Sequence, residues 1–597
     1  MKMHDQELSV ANGGQHGWPE AVGIAQVKLA QIVSVTGSQA VALLISTRAE
    51  DGQKHKERIE VGTLMKIGTP NSFAIGVVSS ITCPLPDMAP NPDNLKLIEL
   101  NLAGEIAHDR KSGARVFRRG VAGMPSVGDP VYSLSGDDLE LVYAQPDVET
   151  ISVGGLYQNP AVDAYLRVDD LLGKHFIVVG TTGCGKSSAT IGILQSVLGK
   201  YRFGHIVVLD MHNEYAAAFG GMAELIDPTN LRLPFWMMTF QELSAALTSD
   251  DEHKDVEVEI LNEAVLQSKR RYSDTQSHRL RRSTDNLSIS IDAPTPFRLS
   301  DITAFIDDRL GRLEKTQPVL PLKRLKNRIE TLVSDPRFAF MFGSPLVEDN
   351  MSAILGRIFR VPVDGKPITV INLNTVPPEI LDIVISVIAR LAFDFAVWSE
   401  GRVPMLLVCE EAHRYAPAST DQKFLPTRQS LARIAKEGRK YAVALALVTQ
   451  RPSELDQTIL SQCSTVVAMR LSTERDHQVV RANTHEGFVD LLDSLPLLAD
   501  QEAVVLGQGV IMPMRIRFRD IESRKQGEKK SGKFATAWRD ATISREILDN
   551  IVQFWRGTGK PPAADTDIPD QQMRATDFEP GEGAPRMGEI DGRTSAA

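Results

Sequence analysis

The stretch HFIVVGTTGCGKSSATIGIL places Gly180, Thr181, Thr182, Gly183, Cys184, Gly185, Lys186 and Ser187 in the pattern GxxxxGK[ST], with Ser188 next. The chemistry this spacing offers is phosphate binding. Glycines let backbone N–H groups wrap the phosphates, and a helix beginning at the loop adds the positive end of its dipole. Lys186 reaches the β and γ phosphates, and the Ser187 hydroxyl ligates Mg²⁺. An ordinary glycine turn needs neither the apolar strand before the loop nor the helix after it, and the sequence supplies both. ATP and Mg²⁺ are the expected ligands.

A hydrolytic site also needs carboxylates at a strand end. Met405 to Glu411 reads MLLVCEE, an apolar strand delivering Glu410 and Glu411 together. One carboxylate there belongs in the Mg²⁺ shell and the other against the attacking water. Glu410 is assigned to the metal and Glu411 to the water, with Glu410 standing where an Asp is usual. The plainer alternative is a solvated acidic pair. VALALVTQ ends in Gln450, whose amide suits sensing a γ-phosphate or positioning water.

Strand ends in a parallel sheet line the ligand crevice, so the polar residues after IVVLD, namely Asp210, His212 and Glu214, are further candidates. Turn residues are polar for other reasons too, and both readings stand. Between the MLLVCE and VALALVTQ strands, Arg433 and Arg439 flank Lys436. Either arginine could reach a nucleotide across a subunit boundary, or both could lie on a solvated basic face. Lys269, Arg270, Arg271, Arg279, Arg281 and Arg282, with Tyr272 among them, form the densest basic run. They suit phosphate tracking along DNA, or equally a solvated loop. His413 follows Glu411 without the HExxH spacing of a zinc site.

The elements that must hold these residues divide the chain. Residues 23–150 carry short Val- and Ile-rich runs broken by turns, such as IAQVKLAQIVSV, AVALLIST and SFAIGVVSSI. They predict a small all-β barrel or sandwich. Residues 155–530 alternate apolar strands (HFIVVG, HIVVLD, ITVINL, MLLVCE, VALALVTQ) with helical sequence, which predicts an α/β core with a parallel sheet covered on both faces. From about 235 to 360 the alternation lapses, and Val258, Leu261 and Val265 recur at helical spacing, so a helical insertion is expected there. Residues 1–22 read as a flexible N-terminus, 531–559 as a C-terminal extension and 560–597 as a disordered acidic tail.

The 597 residues include 66 Lys+Arg and 76 Asp+Glu, a net charge of −10. That balance argues against a free-standing nucleic-acid coat protein. Residues 1–150 hold 13 basic and 18 acidic side chains and residues 560–597 hold 4 and 8, so the central part is close to neutral and a local basic channel stays open. Cys83, Cys184, Cys409 and Cys463 form no CxxC pair, which excludes a disulfide framework or zinc finger. No apolar run approaches a membrane span, and a cytoplasmic protein without a membrane segment is expected.

In order along the chain, GTTGCGKSS, DMHNEY, CEEAHRYAP, IAKEGRKYAVALALVTQRPSEL, LSQCSTVVAMRL and LPLLADQEAVVLG follow the barrel-like RVFRRGVAGMPSVGDPVYSL. This ordered set resembles the HerA-type ATPases of the FtsK–HerA group, from about residue 23 to 518. The resemblance implies a RecA-like P-loop core behind a barrel. It also implies a homohexamer that hydrolyses ATP at subunit interfaces and moves double-stranded DNA through a central pore. Lys186 and Ser187 would be the P-loop pair, Glu410 and Glu411 the Walker B acids, and Gln450 the sensor. Arg433 and Arg439 fall where the family has its arginine finger, and Lys174 stands where relatives often have an arginine before the P-loop strand. An effector would supply cleavage from the barrel face, either a NurA-like nuclease in end resection or a sirtuin-type or nuclease effector in anti-phage defence. A ring serving mainly as a scaffold for such an effector is the alternative. A conjugation-type coupling ATPase would carry a membrane anchor, and the sequence has none.

Overall fold

A computed structural model of the chain describes residues 28–45, 59–83, 96–109, 113–248, 251–277, 290–311, 319–343, 347–419, 424–484 and 486–519. The expected segments 1–22, 531–559 and 560–597, and with them Arg279, Arg281 and Arg282, lie outside the described residues.

The first sheet comprises β1 (Lys28–Val35), β2 (Gln39–Leu44), β3 (Leu64–Gly68), β4 (Ser72–Thr82), β5 (Leu97–His108), β6 (Arg115–Arg119) and β7 (Pro130–Ser133). Its order is β2-β1-β7-β3-β4-β5-β6, and an extra pairing of β2 with β5 closes six strands into a barrel with β6 appended. Closure leaves those six strands with no free edge, and their alternate residues fill a small core of Ala30, Ile32, Met65, Ile67, Ile98 and Val131. The helix Gly136–Val142, capped by Ser135, follows the barrel. Its Asp138 is buried against Lys66 of β3 at 2.5 Å and also bonds Arg115. Burial alone would raise the Asp138 carboxyl, but these two cations overcome it and hold the group at about 2.

The second sheet has eleven strands: β8 (Thr150–Leu156), β9 (Asp163–Arg167), β10 (Phe176–Val179), β11 (Ile206–Asp210), β12 (Ala223–Ile226), β13 (Ile368–Asn372), β14 (Met405–Glu410), β15 (Val443–Thr449), β16 (Thr465–Ala468), β17 (Glu502–Gly507) and β18 (Met514–Phe518). In space they run β12-β13-β11-β14-β15-β10-β16-β17-β18-β8-β9. The run from β12 to β16 is parallel, as expected, while β17, β18, β8 and β9 add an antiparallel wing. The wing and the short β12 were not expected. The core sheet also begins at Thr150, ahead of the expected boundary at 155.

Continuous apolar strands form the middle because both faces are covered. Phe176 and Val178 of β10 pack with Ile193, Leu194 and Val197 of the helix Lys186–Lys200. Ile177 and Val179 belong to the opposite layer, which contains the helix Pro378–Trp398. Between β12 and β13 the chain forms helices Phe240–Leu247, Lys254–Ser277, Leu299–Gly311, Val319–Ser334 and Met351–Phe359, the expected helical insertion. Phe235 anchors it against Phe297 and Phe342, with ring centroids 5.1 and 6.2 Å apart. No helix among the described residues is long and apolar enough to cross a membrane.

Candidate functional site

The glycine-rich loop leaves β10 at Gly180 and enters the helix Lys186–Lys200 through Gly185. Gly183 and Gly185 have φ of +82° and +103°, backbone that side chains strongly disfavour. At Gly180 the reason for glycine is space: a Cβ would sit 2.7 Å from Cys184 Sγ and 2.9 Å from Met469 Cβ. The loop is stitched to its surroundings by its own backbone. Gly180 N donates to Thr449 O at 3.3 Å, Thr181 N to Arg470 O at 2.8 Å, and Gln501 N to Cys184 O at 3.0 Å. Cys184 is buried, which pushes its thiol up and leaves it inert.

Lys186 is buried and folds back to donate to Thr181 O at 3.2 Å, inside the loop it heads. Ser187 and Ser188 follow in the first turn, half-buried. Thr182, at the exposed tip, hydrogen-bonds Gln450. Gln450 comes directly after β15, and β15 lies beside β10 with Val179 opposite Thr449. The sensor candidate and the loop are therefore already in contact.

The two carboxylates of MLLVCEE diverge. Glu410 is buried, and its Oε2 accepts from Met211 N at 2.8 Å across the β11–β14 seam. Burial, then the facing Asp210 carboxylate, push the Glu410 carboxyl far above the ordinary carboxylate range. Asp210 itself is spent on the turn: its oxygens accept from His212 N (3.1 Å), Glu214 N (3.2 Å) and Tyr215 N (3.1 Å). His212 and Glu214 contribute backbone to that turn while their side chains face solvent. Glu410 thus faces β11, and in this arrangement the metal role assigned to it competes with these contacts.

Glu411 behaves differently. It has left-handed backbone, φ +49°, where a bulky residue is uncommon. Its Oε2 is buried with no hydrogen bond. His413, in the turn that follows, brings Nδ1 to 3.3 Å from that oxygen and to 2.9 Å from Thr449 Oγ1. Burial lowers the His413 pKa against the opposing pull of Glu411, which keeps the imidazole neutral. Sequence reasoning considered His413 only as a metal ligand and missed this bridge.

The basic candidates separate as well. Arg433 stacks on Phe393 at 4.3 Å and meets Asp394 at 3.5 Å. Arg439 is exposed just before β15, lining a cavity of about 920 Å³ with Lys200, Phe203 and Arg402. The length of β15, about 20 Å at 3.3 Å per residue, separates it from Gln450. Lys174 lies at the end of β10 opposite the loop, bound to Asp170 and Gln508 at 2.6 Å each, so neither it nor the arginines approach the loop of their own chain. Lys269 is a correction to the DNA-contact reading. It is 1% exposed, donates to Ile291 O and Ala293 O at 2.6 Å each, and burial lowers its ammonium to about 8. Arg270 and Arg271 are exposed on the same helix.

Residues 151–392 match the family model of the helicase HerA central domain. The DNA double-strand break repair helicase HerA of Pyrococcus furiosus is 25% identical over 441 residues, covering 68% of this chain and 75% of that protein. Over this region the chain is similar to the HerA helicases. The same-named helicase of Saccharolobus solfataricus is 23% identical, over 83% of this chain and 94% of its own. Among solved structures, VirB4 of Thermoanaerobacter pseudethanolicus aligns at a TM-score of 0.44 and 14% identity, covering 64% of this chain and 99% of that one. The chain is an ATP-hydrolysing enzyme. The parallel order β11-β14-β15-β10, with the loop after β10, is the parallel α/β core that the alternation of apolar strands and helices predicts.

Proposed function

We propose that this chain is the motor subunit of a homohexamer that couples ATP hydrolysis to movement along double-stranded DNA and works with an effector. The observation that carries the reading is the convergence of two neighbouring strand ends, those of β14 and β15, on the loop that follows β10. Gly180 is held by Thr449, Thr182 meets Gln450, and Glu411 keeps a buried oxygen open beside them. An unpaired buried acceptor is costly and is retained where a ligand completes it. The names of the HerA relatives, DNA double-strand break repair helicases, support double-stranded DNA as the track.

In this reading the loop from Gly180 to Ser188 holds the ATP phosphates and Lys186 leaves Thr181 for them. Glu411 takes the proton of the attacking water and Gln450 reports the γ-phosphate. No cluster of three or more His, Cys, Asp or Glu suited to a metal occurs among the described residues, in keeping with an ion that takes few ligands from protein and the rest from phosphates. Ser187 and Glu410 would hold that Mg²⁺, which supplies charge neutralisation at the phosphates. Arg439, exposed and uncommitted where Arg433 is packed, is the better arginine to reach a neighbouring subunit's nucleotide. The barrel is the docking face for the effector, a nuclease or sirtuin-type partner.

The test is full-length protein with Lys186→Ala. Loss of double-stranded-DNA-stimulated ATP turnover, with a native mass of six subunits, is the expected result. A Lys186→Ala protein with wild-type turnover would overturn the assignment of the site, and a wild-type protein whose turnover ignores DNA would overturn the track.

A further inference from the structure

The carboxylate of Glu411, the amide of Gln450 and the glycine-rich loop come from three different strands, and the His413 side chain lies between Glu411 and Thr449, the residue before Gln450. His413 sits in the turn Ala412–Arg414, its ring 9% exposed. Nδ1 lies 2.9 Å from Thr449 Oγ1 and 3.3 Å from Glu411 Oε2. Thr449 is itself a junction, since its carbonyl accepts from Gly180 N at 3.3 Å and Gln450 follows it in sequence.

We propose that His413 is a positioning residue for ATP hydrolysis, tying the Glu411 carboxylate to Thr449 so that carboxylate, sensor amide and loop hold one geometry. The proposal rests on the reading of Glu411 as the water-activating group. A neutral imidazole nitrogen offers one hydrogen or one lone pair, so Nδ1 serves one partner at a time. Thr449 Oγ1 accepts from Arg451 N at 3.1 Å and has a second lone pair for a hydrogen on Nδ1. With the ring hydrogen on Nδ1, the positive edge of the imidazole faces Glu411 Oε2, which is held close without a hydrogen bond of its own, as observed. A lysine or arginine in this place would saturate the carboxylate and quench it as a base. An apolar residue would let it turn away. The left-handed backbone at Glu411 is the second sign that this carboxylate is held where the fold alone would not put it.

Substitution at His413 separates this role from mere packing. Asn places its polar atoms near the Nδ1 position, while Gln reaches the Nε2 position. In full-length protein His413→Ala should lower kcat by about tenfold or more, with KM for ATP and the affinity for a fluorescent ATP analogue within about twofold of wild type. His413→Asn should recover to within about threefold of wild type and His413→Gln should not. Wild-type kcat in His413→Ala overturns the proposal, as does a His413→Asn protein as slow as His413→Gln, or a loss that falls on KM and nucleotide affinity instead. Should the Ala variant fail to fold by its melting profile, the Asn and Gln pair decides. Glu411→Gln identifies which reading fails. Wild-type hydrolysis in that variant removes the base and the positioning role together, whereas an inactive Glu411→Gln beside a fully active His413→Ala removes the positioning role alone.

Discussion

Met211 donates its backbone N–H to the Glu410 carboxylate at 2.8 Å, joining the end of β11 to the end of β14. The same carboxylate faces Asp210, whose oxygens already collect three backbone N–H groups of the next turn. Two strand ends and one turn are thereby fixed by a pair of buried acids and the backbone N–H groups they accept.

Glu410→Gln keeps an acceptor for Met211 and a donor for Asp210, so it should fold with stability equal to or slightly above wild type. Glu410→Ala strands both groups and should cost about 1–3 kcal/mol, as expected for buried partners left unsatisfied. Chemical denaturation of the two variants distinguishes these outcomes.

At Gly180 the missing Cβ is what lets Cys184 and Met469 close over the loop. Gly180→Ala should destabilise by about 1–3 kcal/mol through overpacking and weaken ATP-analogue binding. Melting temperature and analogue titration, measured together, check both effects.

Lys269 gives a pH-dependent prediction. Its folded ammonium titrates near 8 against its ordinary 10.5, so between those values the unfolded chain holds a proton that the folded chain has released. Wild-type stability relative to Lys269→Met should therefore rise as pH climbs from about 8 to 10.5 and stay flat below. Double-stranded-DNA affinity, compared at equal folded fraction, should not change.

Arg439→Ala should remove ATP turnover without unfolding the chain, because its side chain is exposed and makes no hydrogen bond or ion pair among the described residues. Mixing Arg439→Ala with Lys186→Ala subunits should restore part of the turnover, since an intact loop then meets an intact arginine from a neighbour. Arg433→Ala should instead cost roughly 0.5–1 kcal/mol of stability through its lost stacking on Phe393.

The loop was legible in sequence because its chemistry is local: eight consecutive residues between an apolar strand and a helix specify it. The parallel middle of the sheet was legible for a related reason, since only strands buried on both faces read as FIVV or VALALVT. The antiparallel wing was not. DAYLR and TISVGGL are edge and near-edge strands that pair with each other, and the strand that joins them to the sheet, β18, lies far along the chain. Lys269 was misread as part of a solvated basic run, although it follows Leu261 and Val265 at four-residue steps and so continues the buried face of its helix. His413 gave no comparable signal, because its partner Thr449 comes from another strand and only folding brings the two together.

The pairing of β18 with β8 sets Ile516 opposite Leu156, and so ties the last described strand to the first strand of the core sheet. A ribosome making this chain has released almost all of the core before that pairing becomes possible. Until then the β8–β9 hairpin has no strand joining it to the rest of the sheet. Contacts so distant in sequence are slow to form, and the exposed edges they leave are where a nascent chain is vulnerable to wrong pairing. The order of synthesis thus puts completion of the ATPase sheet late, after the barrel and the loop have been made.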